Sequence, residues 1–317
     1  MKIVICGGTG SFGTALGNIL SLNDNNNVVL LGRDKYIVEG INKLKVNQKY
    51  YPKIKLNDRL KATTDINILE DADVIFLSLP SNILIDYIEK CKNLINKKSI
   101  IVNLAKGFGK NGDIIPNDLK KFLPNEIVSL KGPTFASELI HNYPSAFTVG
   151  SPKKEMFILF KKIFNNTNVE LDYFNDILSV ELASVLKNIY AICLGIVDAY
   201  FNSANTRFLV LTKLFKEMKK VITYLKGKED ILFKYCGIGD FGLTALNDLS
   251  RNRTLGLMIG KGFLSANTKS NVILEGKRSL KIIYKKTKSQ NFLIINTLFK
   301  IFYKGSPISN FLENIIS

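Results

Sequence analysis

Lys2-Ile3-Val4-Ile5-Cys6-Gly7-Gly8-Thr9-Gly10-Ser11-Phe12-Gly13-Thr14-Ala15-Leu16-Gly17-Asn18-Ile19-Leu20 is the stretch whose reading decides the fold. The apolar run Ile3–Cys6 reads as a buried strand, and from Thr14 onward the apolar residues recur at helical spacing. Between them, Gly8, Gly10 and Gly13 stand in a GxGxxG pattern. In a strand–turn–helix unit the first glycine permits a tight turn, the second lets backbone approach a pyrophosphate, and the third lets helix and strand pack closely. A glycine-rich turn without a ligand is the competing account. The order strand, fingerprint, helix, second strand argues against it.

That second strand, Val28–Leu31, ends in Gly32-Arg33-Asp34, where the adenosine ribose of a dinucleotide is read. Gly32-Arg33 offers room and a planar cation suited to a 2′-phosphate, which favours NADPH, whereas Asp34 keeps NADH open. A solvated surface charge is the alternative for Arg33. Further outward, Val74–Leu77, Ile100–Leu104, Ile127–Leu130 and Ala146–Val149 read as strands with helical stretches between them. This is the pattern of a mainly parallel sheet wound on both faces. From about Ile177 the chain changes to long helical patterns. The expectation is an α/β dinucleotide-binding domain over 1–175 and an all-α substrate and catalytic domain over 176–317.

A chain of 317 residues exceeds the roughly 250–300 at which single cores stop growing, which agrees with two domains. At 46% hydrophobic residues there is apolar material for full cores but too little for a membrane protein. The longest apolar run, Ile189 to Val197, is about half of the ~20 residues a bilayer span needs, so it reads as a buried helix segment. The start of the chain shows no signal-peptide succession, and Cys6, Cys91, Cys193 and Cys236 form no CxxC pair. Reduced thiols, a cytoplasmic location and no metal site are the expectation. The net charge of +17 is spread along the chain without interleaved aromatics, so a small anionic substrate is expected rather than nucleic acid.

Hydride exchange with a carbonyl needs a proton donor or acceptor, and the only histidine, His141, follows a helix-like stretch in an apparent surface loop. Val180–Cys193 is instead a helix apolar nearly all round, whose polar residues Glu181, Ser184, Lys187 and Asn188 form one narrow stripe. A lysine there must be paired or have a shifted pKa, which is how lysine becomes useful as an acid or base. A lysine snorkelling from an interface edge is the equal alternative. Gly237-Ile238-Gly239-Asp240 supplies an acid among small residues. Ser250-Arg251-Asn252-Arg253 opens a helical run, where free N–H groups and arginine suit a phosphate. An ordinary serine N-cap with solvated arginines is the plainer reading.

Together these motifs resemble the bacterial-type NAD(P)-dependent glycerol-3-phosphate dehydrogenase family over nearly the whole chain. The similar segments also include Tyr51-Pro52 after Asn47, Leu79-Pro80-Ser81, Ala105-Lys106-Gly107, Gly132–Leu139, Asn205-Thr206-Arg207, Gly239-Asp240 and Glu275-Gly276. The resemblance implies a Rossmann-type sheet and an oxidoreductase interconverting glycerol 3-phosphate and dihydroxyacetone phosphate with NADPH or NADH, supplying phospholipid synthesis. It implies Lys187 as proton donor and acceptor with Asp240 as its charged neighbour. Lys106, Gly132, Thr134, Thr244, Ser250, Arg251 and Asn252 would line the substrate, the last two holding its phosphate. Besides Gly8, Gly10 and Gly13, the dinucleotide would meet Ser11, Phe12, Arg33, Lys106, Ala136, Arg251, Ile273 and Glu275. No membrane span is implied, and a homodimer is allowed.

The chain departs from the family pattern at Phe208 and Leu209, where small residues are usual, at Thr212-Lys213-Leu214, at Thr244-Ala245, and in a shortened basic tail after Gly305. Two other readings share the fold. One is a 3-hydroxyacid or 6-phosphogluconate-type dehydrogenase, which the Ser250–Asn252 and Gly132–Leu139 segments argue against. The other is a catalytically weakened NAD(P)-binding redox sensor, which intact Lys187 and Asp240 disfavour.

Overall fold

The computed structural model describes residues 1–263 and 275–316, in two compact units, Met1–Ile177 and Leu178–Ser317. The first unit alternates strand and helix: β1 (Lys2–Cys6), α1 (Ser11–Leu20), β2 (Asn27–Leu31), α2 (Lys35–Glu39), β3 (Lys61–Thr63), β4 (Val74–Leu77), α3 (Ser81–Cys91), β5 (Ile100–Asn103), α4 (Ile115–Lys120), β6 (Ile127–Lys131), α5 (Ala136–Leu139), β7 (Ser145–Gly150), α6 (Lys154–Ile163) and β8 (Val169–Phe174). The strands form one sheet in the order β3-β2-β1-β4-β5-β6-β7-β8. Every neighbouring pair is parallel except β6 and β7. Order 3-2-1-4-5-6 is that of a doubly wound dinucleotide fold.

The near-continuous apolar strands follow from this topology, because helices cover both faces of a parallel sheet. Alternate residues of β1 point opposite ways. Ile3 and Ile5 join Leu16, Leu30, Phe76 and Phe160 in one core, while Val4 and Cys6 join Ile75, Ile88, Ile101 and Leu119 in the other. Two strands escaped the sequence reading. β3 is three residues long, and β8, Val-Glu-Leu-Asp-Tyr-Phe, is mostly half-buried. Both are edge strands, and edges carry polar residues that mask the apolar signal.

The second unit is helical: α7 (Ile177–Tyr200, its first residue closing the first unit), α8 (Ala204–Tyr224), α9 (Asp240–Leu246), α10 (Arg251–Gly260), α11 (Glu275–Thr287), α12 (Leu293–Lys304) and α13 (Ile308–Ile316). By length and composition α7 could cross a membrane, but its most apolar window is wholly buried within the protein. Around it, buried carboxylates tie the helices. Glu217 accepts from the Ile294 and Ile295 amides at 2.8 and 3.0 Å and so caps α12. Burial holds its carboxyl above the ordinary glutamate range, and the two amide bonds oppose that shift. Asp198 receives Arg207 Nε at 2.8 Å and pairs with Arg253.

Helix α10 lies directly on α7 through glycine. A Cβ at Gly256 would fall 2.1 Å from the Ile192 carbonyl oxygen, and one at Gly195 would fall 2.3 Å from that of Arg253. Gly256→Ala should therefore push the helices apart at a cost of ~1–3 kcal/mol. Thermal unfolding checks this, and a variant as stable as the parent would contradict the contact.

Candidate active site

In the first unit the fingerprint turn is built as a close-packed hairpin of backbone. Its left-handed residue is Gly7, with φ of +73°, so the tight turn falls one position before the glycine to which the spacing assigned it. Gly8 is required for another reason: a Cβ there would lie 2.6 Å from the Ile5 carbonyl oxygen and 2.8 Å from Leu30 Cα. Gly13 packs back on the turn, 2.7 Å from Gly7 O and Gly8 Cα by the same measure. Gly10 differs, because its open side meets only Gly7 O at 3.2 Å. It precedes α1, whose first turn receives no side-chain cap. Amides of an uncapped helix start behind an open glycine fit a pyrophosphate.

A second loop clamps this turn. Asn47, fully buried, donates from Nδ2 to Thr9 O at 3.0 Å and Thr14 Oγ1 at 2.8 Å, and Thr14 Oγ1 donates to Gly8 O at 3.0 Å. The Tyr51 hydroxyl lies 2.8 Å from Ser11 Oγ and donates toward the carbonyls of Ser11 and Ala136 at 3.1 and 3.2 Å. Ser11 and Ala136 thus come together around one phenol, while Phe12 is half-buried against the core of this unit. Burial raises the Tyr51 hydroxyl pKa, so it stays a neutral hydrogen-bonding group.

Arg33 is exposed just past β2. Asp34 beside it caps α2, its Oδ1 accepting from Tyr36 N at 3.0 Å and Ile37 N at 3.4 Å. That carboxylate therefore has a local structural task, and it is exposed together with Arg33. Gly32 is dictated by packing, since a Cβ would strike Thr9 Oγ1 at 2.2 Å. At the carboxyl edge of β5 and β6, Lys106 Nζ and Thr134 Oγ1 each donate to Gly132 O at 3.3 Å. Three of the expected substrate residues of this unit thus share one carbonyl. His141 is exposed beside Tyr143, away from any such cluster.

In the second unit Lys187 projects from α7 and donates to Asp240 Oδ1 at 2.5 Å and to Thr244 Oγ1 at 2.8 Å. Its side chain is 4% exposed and that of Asp240 1%, so the lysine is not a snorkelling one. Asp240 is the first residue of α9, directly after the helical turn Tyr235–Gly239, and Thr244 lies one turn further on the same face. The rest of the polar stripe, Glu181, Ser184 and Asn188, is buried as well. Removing one partner of such a pair strands the other charge, at ~3–5 kcal/mol.

Ser250 is an N-cap, its hydroxyl accepting from Arg253 N at 3.3 Å, so the plainer account of this serine holds locally. Arg251 is exposed at the first turn of α10. Asn252 Nδ2 donates to Asn188 Oδ1 at 3.0 Å, and Gly276 N donates to Asn252 Oδ1 at 3.3 Å. An amide chain thereby joins the neighbour of Lys187, the arginine cluster and the segment carrying half-buried Glu275. Ile273 lies outside the described residues. Among the described residues no group of three His, Cys, Asp or Glu could hold a metal ion, and the four cysteines are buried and form no disulfide.

The family model for the N-terminus of NAD-dependent glycerol-3-phosphate dehydrogenase matches residues 2–157, and the model for its C-terminus matches 176–313. The chain belongs to the NAD-dependent glycerol-3-phosphate dehydrogenase family. It is 32% identical over 312 residues to glycerol-3-phosphate dehydrogenase [NAD(P)+] of Methanothermobacter thermautotrophicus, covering 96% of this chain and 95% of the relative. To the protein of the same name from Halothermothrix orenii it is 33% identical over 291 residues, 89% and 84% of the two chains. Among solved structures, glycerol-3-phosphate dehydrogenase of Plasmodium falciparum superposes with a TM-score of 0.90 at 23% identity, over 100% and 95% of the chains. That of Coxiella burnetii gives 0.88 at 24%, over 100% and 98%. At these identities the structural likeness speaks for the fold.

Two of the departures from the family pattern lie on the surface of the second unit. Phe208 and Leu209 are exposed on α8, while Leu214 is in the core and Lys213 Nζ donates to the last carbonyls of α13, Ile315 O at 2.8 Å and Ile316 O at 3.4 Å. The sequence reading gave no role to Asn47 or Tyr51. Asn47 and Tyr51 stood inside a segment shared with the family, a signal that something there matters without saying what. Asn47→Ala should strand the backbone groups it serves, costing ~1–3 kcal/mol, and should weaken NADPH binding severalfold by loosening the fingerprint turn. Urea unfolding and a fluorescence titration measure the two effects separately.

Proposed function

We propose that Lys187 is the proton donor and acceptor of an NAD(P)-dependent oxidoreductase interconverting sn-glycerol 3-phosphate and dihydroxyacetone phosphate. The observation that carries this is the buried Lys187–Asp240–Thr244 cluster on an otherwise apolar helix. Asp240 and Thr244 accept from the Lys187 amine and fix its direction. In oxidation the neutral amine of Lys187 takes the proton of the C2 hydroxyl, and in reduction its ammonium form returns one to the ketone oxygen. The dinucleotide, when bound, supplies or accepts the hydride at its nicotinamide.

The proposed division of labour assigns the dinucleotide to the first unit and the acid–base group to the second. Gly8, Gly10, Ser11, Phe12 and Gly13 would carry the pyrophosphate, Arg33 the ribose end, and Ala136, Arg251, Ile273 and Glu275 further contacts. Lys106, Gly132, Thr134, Thr244 and Ser250 would line the substrate. The guanidinium of Arg251 and the amide of Asn252 would hold its phosphate, remote binding energy that orients the reacting carbon. NADPH is the proposed preference, because Asp34 is engaged as a helix cap and Arg33 is left for a 2′-phosphate. A cytoplasmic location, supported by four buried cysteines that form no disulfide, and a role in supplying phospholipid synthesis complete the reading. Exposed apolar side chains such as Phe208, Phe233 and Ile238 offer a surface for a homodimer.

Initial rates of NADPH and NADH oxidation with dihydroxyacetone phosphate test substrate, cofactor and competence together. Lys187→Ala should cut turnover by ~10²–10⁴-fold while NADPH affinity in the folded fraction stays parental. An unchanged rate would end the assignment. Binding of NADPH by the parent protein with no turnover would favour the redox-sensor reading instead.

A further inference from the structure

Lys131 has no place in the proposed chemistry, yet it is the most deeply buried cation of the first unit among the described residues, at 0% exposure. It ends β6, beside the end of β5. Its Nζ donates to the carbonyl oxygens of Asn103 at 2.9 Å and Ala105 at 2.7 Å. The next residue along that loop is Lys106, whose own Nζ donates to the carbonyl of Gly132, the residue after Lys131. Each lysine therefore grips the backbone beside the other.

We infer that Lys131 is a positioning residue, the hidden half of a reciprocal lysine clasp that sets the Asn103–Lys106 and Lys131–Thr134 backbones against each other at the ligand edge of the sheet. The inference rests on the proposed role of Lys106, Gly132 and Thr134. Burying an ammonium costs several kcal/mol, and an apolar side chain of equal volume would fill the space without that cost. What the apolar residue would not do is orient peptides. In a planar trans peptide the C=O and N–H point opposite ways. Drawing the Ala105 carbonyl onto Lys131 therefore points the Lys106 N–H away from Lys131. Ligands of open α/β sheets bind at this carboxyl edge. The clasp thus presents the amide and the ammonium of Lys106 there, with a second positive charge fixed behind them in a medium of low dielectric, which favours an anionic ligand.

The experiment is a double-mutant cycle with Lys131→Met and Lys106→Met, reading circular dichroism, NADPH affinity by fluorescence, and KM and kcat for dihydroxyacetone phosphate. Lys131→Met should fold, because replacing a buried charge by an apolar side chain of similar size is commonly tolerated. Its KM and its NADPH dissociation constant should rise roughly tenfold or more, with a smaller fall in kcat. In the Lys106→Met background the same change should add less than about threefold, since the two lysines act through one backbone. Parental constants in folded Lys131→Met, or full multiplication of the two effects, would overturn the clasp. Should Lys131→Met not fold, Lys131→Gln, which keeps one donor, must show the same rise in KM, and parental constants there overturn the inference equally. If Lys106→Met leaves every constant unchanged, the assignment of this edge to the substrate falls, and the clasp falls with it.

Discussion

A charged amine inside an apolar helix is stable only against a fixed counter-charge, and the second unit is arranged around that requirement. Lys187 and Asp240 are each almost wholly removed from water, so neither can be withdrawn without leaving an unsolvated charge. The demand propagates outward. Asp240 must be held on α9, directly after the turn Tyr235–Gly239, and Thr244 must follow one turn later to accept the second bond. α7 must be apolar on its remaining faces, which is why the helix that carries Lys187 also satisfies the length and composition of a membrane span. α10 must approach closely, and the facing Gly195 and Gly256 allow backbone to touch backbone there.

The first unit answers a different demand with similar means. An anion-binding turn has few side chains to hold it, so its shape is imposed by neighbours: glycines where any Cβ would collide, Asn47 from below, and the Tyr51 phenol bridging Ser11 and Ala136. Lys131 extends the same principle to the far side of the sheet edge, where a cation rather than a hydroxyl organises carbonyls. In both places the groups offered to a ligand are set by polar residues buried one layer behind them.

The doubly wound sheet was legible because helices on both faces make its inner strands continuously apolar, and Ile3–Cys6 or Val74–Leu77 show that directly. β3 and β8 were not, because an edge strand's polar face removes the pattern. The turn was legible as a glycine spacing, but its left-handed residue was not, since four glycines lie within seven positions and only the backbone angles separate Gly7 from Gly8. Ser250 shows the opposite limit. The sequence marked it as a helix start, and its hydroxyl serves as the cap of α10, so the residue type alone could not separate capping from ligand contact.

What the sequence by itself determined is what local periodicity and family resemblance carry: an α/β unit with a fingerprint turn, a helical unit after it, and a lysine in a narrow polar stripe. Only the tertiary structure decided the partners of the polar groups. Lys187 meets Asp240 across 53 residues of chain, and Lys131 meets the loop before Lys106 across 26. The physical reason is that secondary structure is written in neighbours a few positions apart, whereas the counter-charge of a buried amine is chosen by packing between elements, which no spacing along the chain encodes.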